Sequence, residues 1–277
     1  MATAARTILI TGCSSGIGWA SARVMKGRGW RVLATARRAE DLTRLEAELG
    51  VEALQLELAD ADSIAKCARD ALARVNGKLD ALFNNAAYGQ PGAVEDLAPW
   101  VLRRQLEVNV IGTHALTAAV IPAMRAVGGG RIVQCSSVLG VVAAPNRGAY
   151  CASKFALEAL SDCLRMELAG SGISVSLIEP GPIRTKFVAT ALAAARANID
   201  LTGSVHAARY RQIIAGLERG GKETFKLEPE AVAAKLVHAV ESSRPRPRYP
   251  VTVPAHAAGI LKRLLPTRWL DRLAAKG

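Results

Sequence analysis

Several classes of protein are excluded by what the 277-residue chain lacks. Its five cysteines are scattered and odd in number, and no CxxC or Cys/His spacing indicates a metal site. The four histidines share no spacing suited to a metal or to a catalytic triad. We therefore expect free thiols, no bound metal and a reducing compartment. The cysteines are Cys13, Cys67, Cys135, Cys151 and Cys163.

Targeting and membrane signals are also missing from the sequence. The first ten residues, MATAARTILI, contain no basic region followed by a long apolar stretch, so they do not resemble a signal peptide. No apolar run approaches the length of a membrane span. We expect a cytoplasmic protein.

The composition itself favours one large α/β domain over residues 1–277. Half of the residues are hydrophobic, which is enough for a sizeable core, and α/β folds often exceed 200 residues as one unit. The net charge is +12, and residues 244–277 hold eight Lys or Arg and one Asp. Such a charge attracts anions generally, but no helix-turn-helix, zinc-finger or RNA-binding motif is present, so we expect no nucleic-acid partner.

Short apolar runs alternate with longer helical patterns along the chain. The alternation predicts a Rossmann-type, doubly wound parallel β-sheet with helices on both faces, a three-layer αβα fold. In the helical stretch 39–49, Leu42, Leu45 and Leu49 line one face. Strands are predicted at 7–10, 30–34, 53–58, 79–83, 130–134, 173–178 and 249–253.

A glycine-rich turn follows the first predicted strand. Residues 8–18 read ILITGCSSGIG, with Gly12, Gly16 and Gly18 in a GxxxGxG spacing around Ser14, Ser15 and Ile17. In such a turn, backbone N–H groups approach a pyrophosphate and the following helix N-terminus favours its charge. Taken alone, the three glycines are also compatible with a purely structural strand–helix turn.

The end of the second strand bears on the choice of dinucleotide. Dinucleotide folds usually place an acidic residue there to bind the adenosine ribose, whereas this chain has Ala36 followed by Arg37 and Arg38. A guanidinium pairs with a ribose 2′-phosphate, so the sequence favours NADP(H), although a solvated Arg pair remains the alternative. Asp60 follows the third strand and suits either the adenine amino group or a helix cap.

Tyr150 and Lys154 suggest proton transfer. They lie four residues apart in a helical stretch over 149–169 and therefore share one face. A nearby ammonium lowers the phenol pKa from about 10, which makes the pair a workable proton donor and acceptor. Alone, YxxxK is common by chance. However, Ser136 and Ser137 follow the apolar run 131–135, at the strand edge where open α/β sheets bind ligands.

These motifs together resemble the short-chain dehydrogenase/reductase family over about residues 7–188. The chain has TGCSSGIG at 11–18, NNAA at 84–87, Asn109 within EVNVIGTH, and Ser137 thirteen residues before Tyr150. YCASK at 150–154 and PGPIRT at 180–185 follow in the family's order. The chain is similar to the branch with 17β-hydroxysteroid and retinol dehydrogenases, and more closely to a bacterial NADP-dependent aldehyde reductase.

The resemblance implies a role for each matching residue. Tyr150 would give its proton to the carbonyl oxygen, and Ser137 would orient that oxygen. Lys154 would lower the Tyr150 pKa and bind the nicotinamide ribose, and Asn109 would hold a relay water beside Lys154. The implied cofactor site comprises Gly12, Ser14, Ser15, Gly16, Ile17, Gly18, Arg37, Arg38, Asp60, Asn85, Ala86, Tyr150, Lys154, Pro180, Gly181, Ile183 and Thr185. One departure is Ala87, which stands where the family motif has Gly.

Two segments distinguish the chain within that framework. Residues 186–225 are expected to cover the substrate as an apolar lid, or else to form a plain pair of surface helices. Residues 255–277 form a basic amphipathic extension that suits packing on the domain, packing on a partner subunit or weak peripheral membrane contact. The lid residues proposed from sequence are Phe187, Tyr210, Ile213, Ile214 and Leu217.

The leading hypothesis is an NADP(H)-dependent oxidoreductase for a hydrophobic aldehyde or ketone. The alternatives are a steroid- or retinoid-type dehydrogenase and a nucleotide-sensing scaffold without turnover. The scaffold is disfavoured because Asn109, Ser137, Tyr150 and Lys154 are all present. In the resembling family, helices matching 108–126 and 149–169 pair across a two-fold axis, so a homodimer or homotetramer is expected.

Overall fold

A seven-stranded parallel sheet, in the order β3-β2-β1-β4-β5-β6-β7, forms the centre of the molecule. The computed structural model describes residues 5–219 and 223–276. The predicted fold class is confirmed. The strands are β1 Thr7–Ile10, β2 Arg31–Ala36, β3 Glu52–Gln55, β4 Ala81–Asn84, β5 Gly130–Cys135, β6 Ile173–Glu179 and β7 Arg248–Pro250.

Helices cover both faces of this sheet. In chain order they are α1 Gly16–Gly27, α2 Ala39–Leu49, α3 Ala61–Arg74, α4 Pro99–Leu106, α5 Thr113–Ala126, α6 Gly148–Glu167, α7 Phe187–Asn198, α8 Ala207–Glu218, α9 Glu230–Glu241, α10 Val253–Leu264 and α11 Thr267–Lys276. A π-helical segment, Glu107–Gly112, joins α4 to α5.

Successive strand residues point to opposite faces, which divides the core into two layers. Ile8 and Ile10 pack in the layer that includes residues of α1, α2 and α9. Leu9, between them, packs in the opposite layer with Leu116 and Val120 of α5 and with residues of α3. This alternation gives the predicted three layers.

The helical stretch Pro99–Ala126 corrects one expectation from the sequence. Because α4, the π segment and α5 are continuous, they form one 28-residue helix that is long and apolar enough to cross a membrane by length and composition. Its Leu116, Val120 and Met124 are fully buried in the core beside the sheet. Packing of this kind is that of a core helix.

The carboxyl ends of β1, β4, β5 and β6 meet at one edge of the sheet. The order of strands reverses between β1 and β4, and open α/β sheets bind ligands at such a switch point. Each of these four strands runs directly into a predicted motif. The site therefore lies where the sheet topology brings the glycine turn, Asn85, Ser137 and Pro180 together.

Candidate active site

The glycine-rich turn has a backbone shape that side chains would obstruct. Gly12 and Gly16 have φ values of +71° and +57°, in the left-handed region that favours glycine. A Cβ on Gly12 would lie 2.8 Å from the Cα of Ala86. The Nδ2 of Asn85 donates to the carbonyl oxygens of Thr11 and Gly12, at 2.9 and 3.2 Å, and holds the turn in place. The turn therefore presents backbone amides and the start of α1 to the adjoining cavity, which suits a pyrophosphate.

A cavity of about 2290 Å³ extends from this turn across the sheet edge. A drug-sized ligand occupies roughly 300–1,000 Å³, so this cavity has room for a dinucleotide and a substrate together. The residues present thus fit a dinucleotide cofactor. Most of the predicted site residues line the cavity: Gly12, Ser14, Ser15, Gly16, Ile17, Arg37, Asn85, Ala86, Ser137, Tyr150, Lys154, Pro180, Gly181, Ile183 and Thr185.

Four of the predicted site residues are not among those that line it. Gly18 lies against the Gly12 carbonyl inside α1, and Arg38 points outward, where its guanidinium is 3.6 Å from Glu40. Asp60 caps α3, because its carboxylate accepts from the backbone N–H groups of residues 62 and 63. The structure thus favours the capping alternative for Asp60. Glu57 and Leu58 line the cavity on that side instead.

Asn109, the fourth, is buried behind the site in the π-helical segment. Its Oδ1 accepts from the Tyr88 N–H at 3.1 Å, and its Nδ2 donates to the Tyr88 carbonyl at 2.9 Å. The same Nδ2 donates to Ser153 Oγ on α6 at 3.1 Å. The side-chain amide therefore fixes α6 against the Tyr88 loop, and its role in a relay beside Lys154 stays a prediction.

The three reacting side chains converge at the other end of the cavity. Tyr150 and Lys154 lie on α6 one turn apart, and the Lys154 Nζ is 5.8 Å from the Tyr150 ring centroid. That ammonium donates a 2.7 Å hydrogen bond to the Cys135 carbonyl at the end of β5. Ser137 follows β5, accepts from the Leu139 N–H at 3.1 Å, and is hydrogen-bonded to Tyr150. Strand β5 and helix α6 thus place these groups together.

The electrostatics of this group differ from the sequence expectation. Burial raises the pKa of Tyr150, while its hydrogen bond to Ser137 acts in the opposite direction. Burial also lowers the pKa of Lys154, whose charge Cys135 and Glu158 favour. The sequence predicts that the ammonium lowers the phenol pKa. In this structure burial is the largest influence on that pKa and keeps the phenol protonated, while the hydrogen bond with Ser137 and the charge of Arg147 act in the opposite direction.

Arg37 lies at the opposite rim of the cavity. Its side chain is 67% exposed, and its guanidinium stays 3.9 Å from the Glu57 carboxylate. Ala36, the last residue of β2, places no carboxylate beside it. A guanidinium so loosely held is free to turn toward an anion.

The lid and the C-terminal extension both contribute to the cavity wall. Of the five lid residues proposed from sequence, Phe187, Ile213 and Leu217 line the cavity. Tyr210 does not, because its hydroxyl bonds to Asp96 and to the Ala93 N–H in a separate buried cluster. Ile214 is likewise not among the lining residues. Residues 220–222 of the lid lie outside the described residues.

Sequence reasoning missed some of the residues that form the cavity wall. Leu261 of α10 and Leu270 and Leu273 of α11 line the cavity, so the extension covers the cleft. Its amphipathic pattern predicted an apolar face but not the surface that this face meets. Arg147 also lines the cavity, and no motif marked it. Ala87 lines it with an ordinary backbone, so the departure from Gly causes no strain there.

Known proteins resemble the chain over nearly its whole length. The family model for short chain dehydrogenases matches residues 6–196. YbbO, an uncharacterized oxidoreductase of Escherichia coli K12, is 42% identical, covering 97% of this chain and 93% of its own. Human 17-beta-hydroxysteroid dehydrogenase type 1 is 36% identical, covering 88% of this chain and 77% of its own. A short-chain dehydrogenase structure from Streptomyces avermitilis has 32% identity and a TM-score of 0.76, and the match covers 100% and 96% of the two chains.

Proposed function

Because the chain belongs to the short-chain dehydrogenase family, we propose that it is an NADP(H)-dependent enzyme interconverting a hydrophobic aldehyde or ketone with its alcohol. The family uses NAD(P) for redox chemistry between hydroxyl and carbonyl groups. One observation carries the proposal. Ser137, Tyr150 and Lys154 meet at one end of a cavity whose other end is the glycine turn.

Each of these side chains has a task in that reaction. A bound nicotinamide supplies or accepts the hydride. Tyr150 donates its proton to the carbonyl oxygen during reduction, and its raised pKa keeps that proton available. Ser137 Oγ orients the same oxygen and stabilises its developing charge. Lys154, held by the Cys135 carbonyl, favours the phenolate that remains and binds the nicotinamide ribose. Asn109 positions α6, which carries Tyr150 and Lys154.

The preference for NADP(H) rests on the end of β2. Dinucleotide folds that bind NAD usually have a carboxylate here, and Ala36 removes it. Arg37 is exposed and lines the cavity, and its guanidinium is 3.9 Å from the Glu57 carboxylate. A 2′-phosphate would gain a charge-assisted hydrogen bond from Arg37 and meet no repelling carboxylate at residue 36.

The preference for a hydrophobic substrate rests on the walls near Tyr150. Phe187 packs edge-on against the Tyr150 ring, with centroids 5.4 Å apart. Ile213, Leu217 and Leu261 extend the apolar wall. A steroid- or retinoid-type dehydrogenase remains the second candidate, favoured by the size of the cavity and by the similarity to the human hydroxysteroid enzyme.

The experiment for this function is NADPH oxidation with a panel of aldehydes and ketones. The panel should include aliphatic and aromatic aldehydes, a retinal and a steroid ketone, each paired with NADPH and NADH. Turnover of any apolar carbonyl compound supports the proposal. Dinucleotide binding without turnover across the panel would instead favour the nucleotide-sensing alternative.

Association with partners belongs to the same proposal. The helices expected to form a dimer expose Ile111 of the π segment and Leu160 and Met166 of α6, and covering them is a reason for two copies to associate.

The proposal also includes weak contact between the extension of this cytoplasmic enzyme and an anionic membrane surface. The extension exposes Leu264 and Trp269 among its basic residues. These side chains are not among those that line the cavity, so the extension can serve both roles.

A further inference from the structure

Arg147 is held firmly at the substrate end of the cavity. It immediately precedes α6, three residues before Tyr150, and its side chain lines the cavity. Its carbonyl accepts from the Cys151 N–H at 2.8 Å, and its backbone forms a bridge with Gly92. The preceding Asn146 has a φ of +59° and accepts from the Gly92 N–H at 3.1 Å. The backbone of Arg147 is thus fixed on both sides.

No carboxylate neutralises this guanidinium within residues 5–219 and 223–276. A 3₁₀ turn, Val94–Asp96, lies nearby, and its two carboxylates are engaged elsewhere: Glu95 with His206 at 2.5 Å and Asp96 with Ser204 at 2.6 Å. The groups close enough to influence Arg147 are Cys151 and Tyr150, both neutral at neutral pH. Burial lowers the pKa of Arg147, as expected for a cation held away from water.

Stabilisation of helix α6 does not account for the presence of Arg147 at its N-terminus. The first-turn amides of α6 place partial positive charge beside Arg147, so a cation there is repelled rather than attracted. Buried charges in proteins are normally paired. A half-buried, unpaired guanidinium at the reaction end of a cavity therefore indicates an anion supplied from outside the chain.

We propose that Arg147 binds an anionic group of the substrate, so that the substrate class is an oxo compound with a carboxylate or similar acid near its carbonyl and an apolar chain beyond it. This rests on the proposed function, because Tyr150 marks the position of the carbonyl. Arg147 precedes α6 directly, and its guanidinium is close enough to Tyr150 for the charge of Arg147 to act on the phenol. The acidic group is then a few bonds from the carbonyl carbon, while Phe187 and Leu217 contact the apolar chain.

The test compares 4-oxodecanoate with its neutral methyl ester as substrates for NADPH-dependent reduction. The wild-type protein is expected to prefer the acid by about tenfold to hundredfold in kcat/KM, the range of a charge-assisted hydrogen bond. Arg147→Met should remove this preference mainly through the KM for the acid, so that the acid and the ester are reduced with similar kcat/KM. Arg147→Lys should keep part of the preference, since it retains charge without the planar fork.

Two further measurements separate this proposal from the proposed function. Calorimetric binding of 4-oxodecanoate to the NADP⁺-saturated protein requires no turnover and should weaken in Arg147→Met. The exposed Arg209 at the cavity rim supplies a control, because Arg209→Met should change the acid preference by less than about twofold. Binding that depends on Arg147 without turnover would refute only the proposed function. The anion site would be overturned if the wild-type protein reduced the ester as well as the acid, or if folded Arg147→Met kept the wild-type preference for the acid.

Discussion

The carbonyl oxygen of Gly12 lies 2.2 Å from the position that a Cβ atom on Gly18 would take. Gly18→Ala is therefore expected to displace the turn, lower the free energy of unfolding by about 1–3 kcal/mol and weaken dinucleotide binding. Thermal unfolding with and without NADPH measures both effects. Gly27→Ala is the matched control in the same helix, because nothing lies within 4 Å of its Cβ. It should be neutral or stabilising by about 0.5–1 kcal/mol. Equal effects of the two changes would refute the close approach.

Cofactor choice is tested at Arg37. Arg37→Ala should raise the KM for NADPH by about tenfold to hundredfold, because a charged hydrogen bond to the 2′-phosphate is lost, and should leave the KM for NADH nearly unchanged. Steady-state kinetics with both nucleotides measure this. Arg38→Ala is the control, since Arg38 pairs with Glu40 outside the cavity. Parallel losses with NADPH and NADH would argue against the assignment.

The raised pKa of Tyr150 sets the pH dependence of reduction. The phenol must be protonated to donate, and burial holds its pKa above the usual value of about 10. The kcat/KM for reduction should therefore stay flat from about pH 6 to about pH 9 and fall only at higher pH. A pH–rate profile with a single aldehyde measures it. A fall centred below about pH 8 that is absent in Tyr150→Phe would show that the phenol ionises early and contradict the prediction.

The extension is tested with vesicles. Anionic vesicles should sediment the protein at low salt and release it at high salt, because Arg263, Arg268 and Arg272 supply the charge and Trp269 the apolar contact. Neutral vesicles are the control. The Trp269→Ala variant should bind less without losing activity on small aldehydes, since that side chain is exposed and does not line the cavity. If the amount of sedimented protein depended on neither salt concentration nor lipid charge, this form of membrane contact would be excluded.

The sequence predicts most helix and strand positions because hydrophobic periodicity and turn chemistry are local properties of the chain. Helix α2 was predicted at its observed bounds, and the predicted strand positions recur with shifts of a few residues. The strand predicted at 249–253 ends earlier, at Pro250, because Thr252 caps α10 and Pro254 stands in its first turn. The last turn of such elements is decided by caps rather than by periodicity.

The site is predicted less completely, because burial and pairing depend on distant parts of the chain. The sequence suggested that Lys154 lowers the Tyr150 pKa, but the largest influence on this pKa is burial, which raises it and depends on how distant segments pack around the phenol. The π-helical segment that directs the Asn109 amide toward Tyr88 has no local signal. Arg147 was missed because an arginine that lines a cavity cannot be distinguished in sequence from one on the outer surface.

The central claim is that Tyr150 transfers the proton at the carbonyl, and Tyr150→Phe tests it most directly. The ring still packs against Phe187, so NADPH should bind with unchanged affinity in a fluorescence titration. Tyr88→Phe is the control, since it removes another phenol hydroxyl from the same cavity and should leave turnover within a few-fold. The account predicts that kcat for the best carbonyl substrate falls by about 10²–10⁴ in Tyr150→Phe, as expected for a lost general acid. Near wild-type kcat in Tyr150→Phe, with normal NADPH binding, would contradict it.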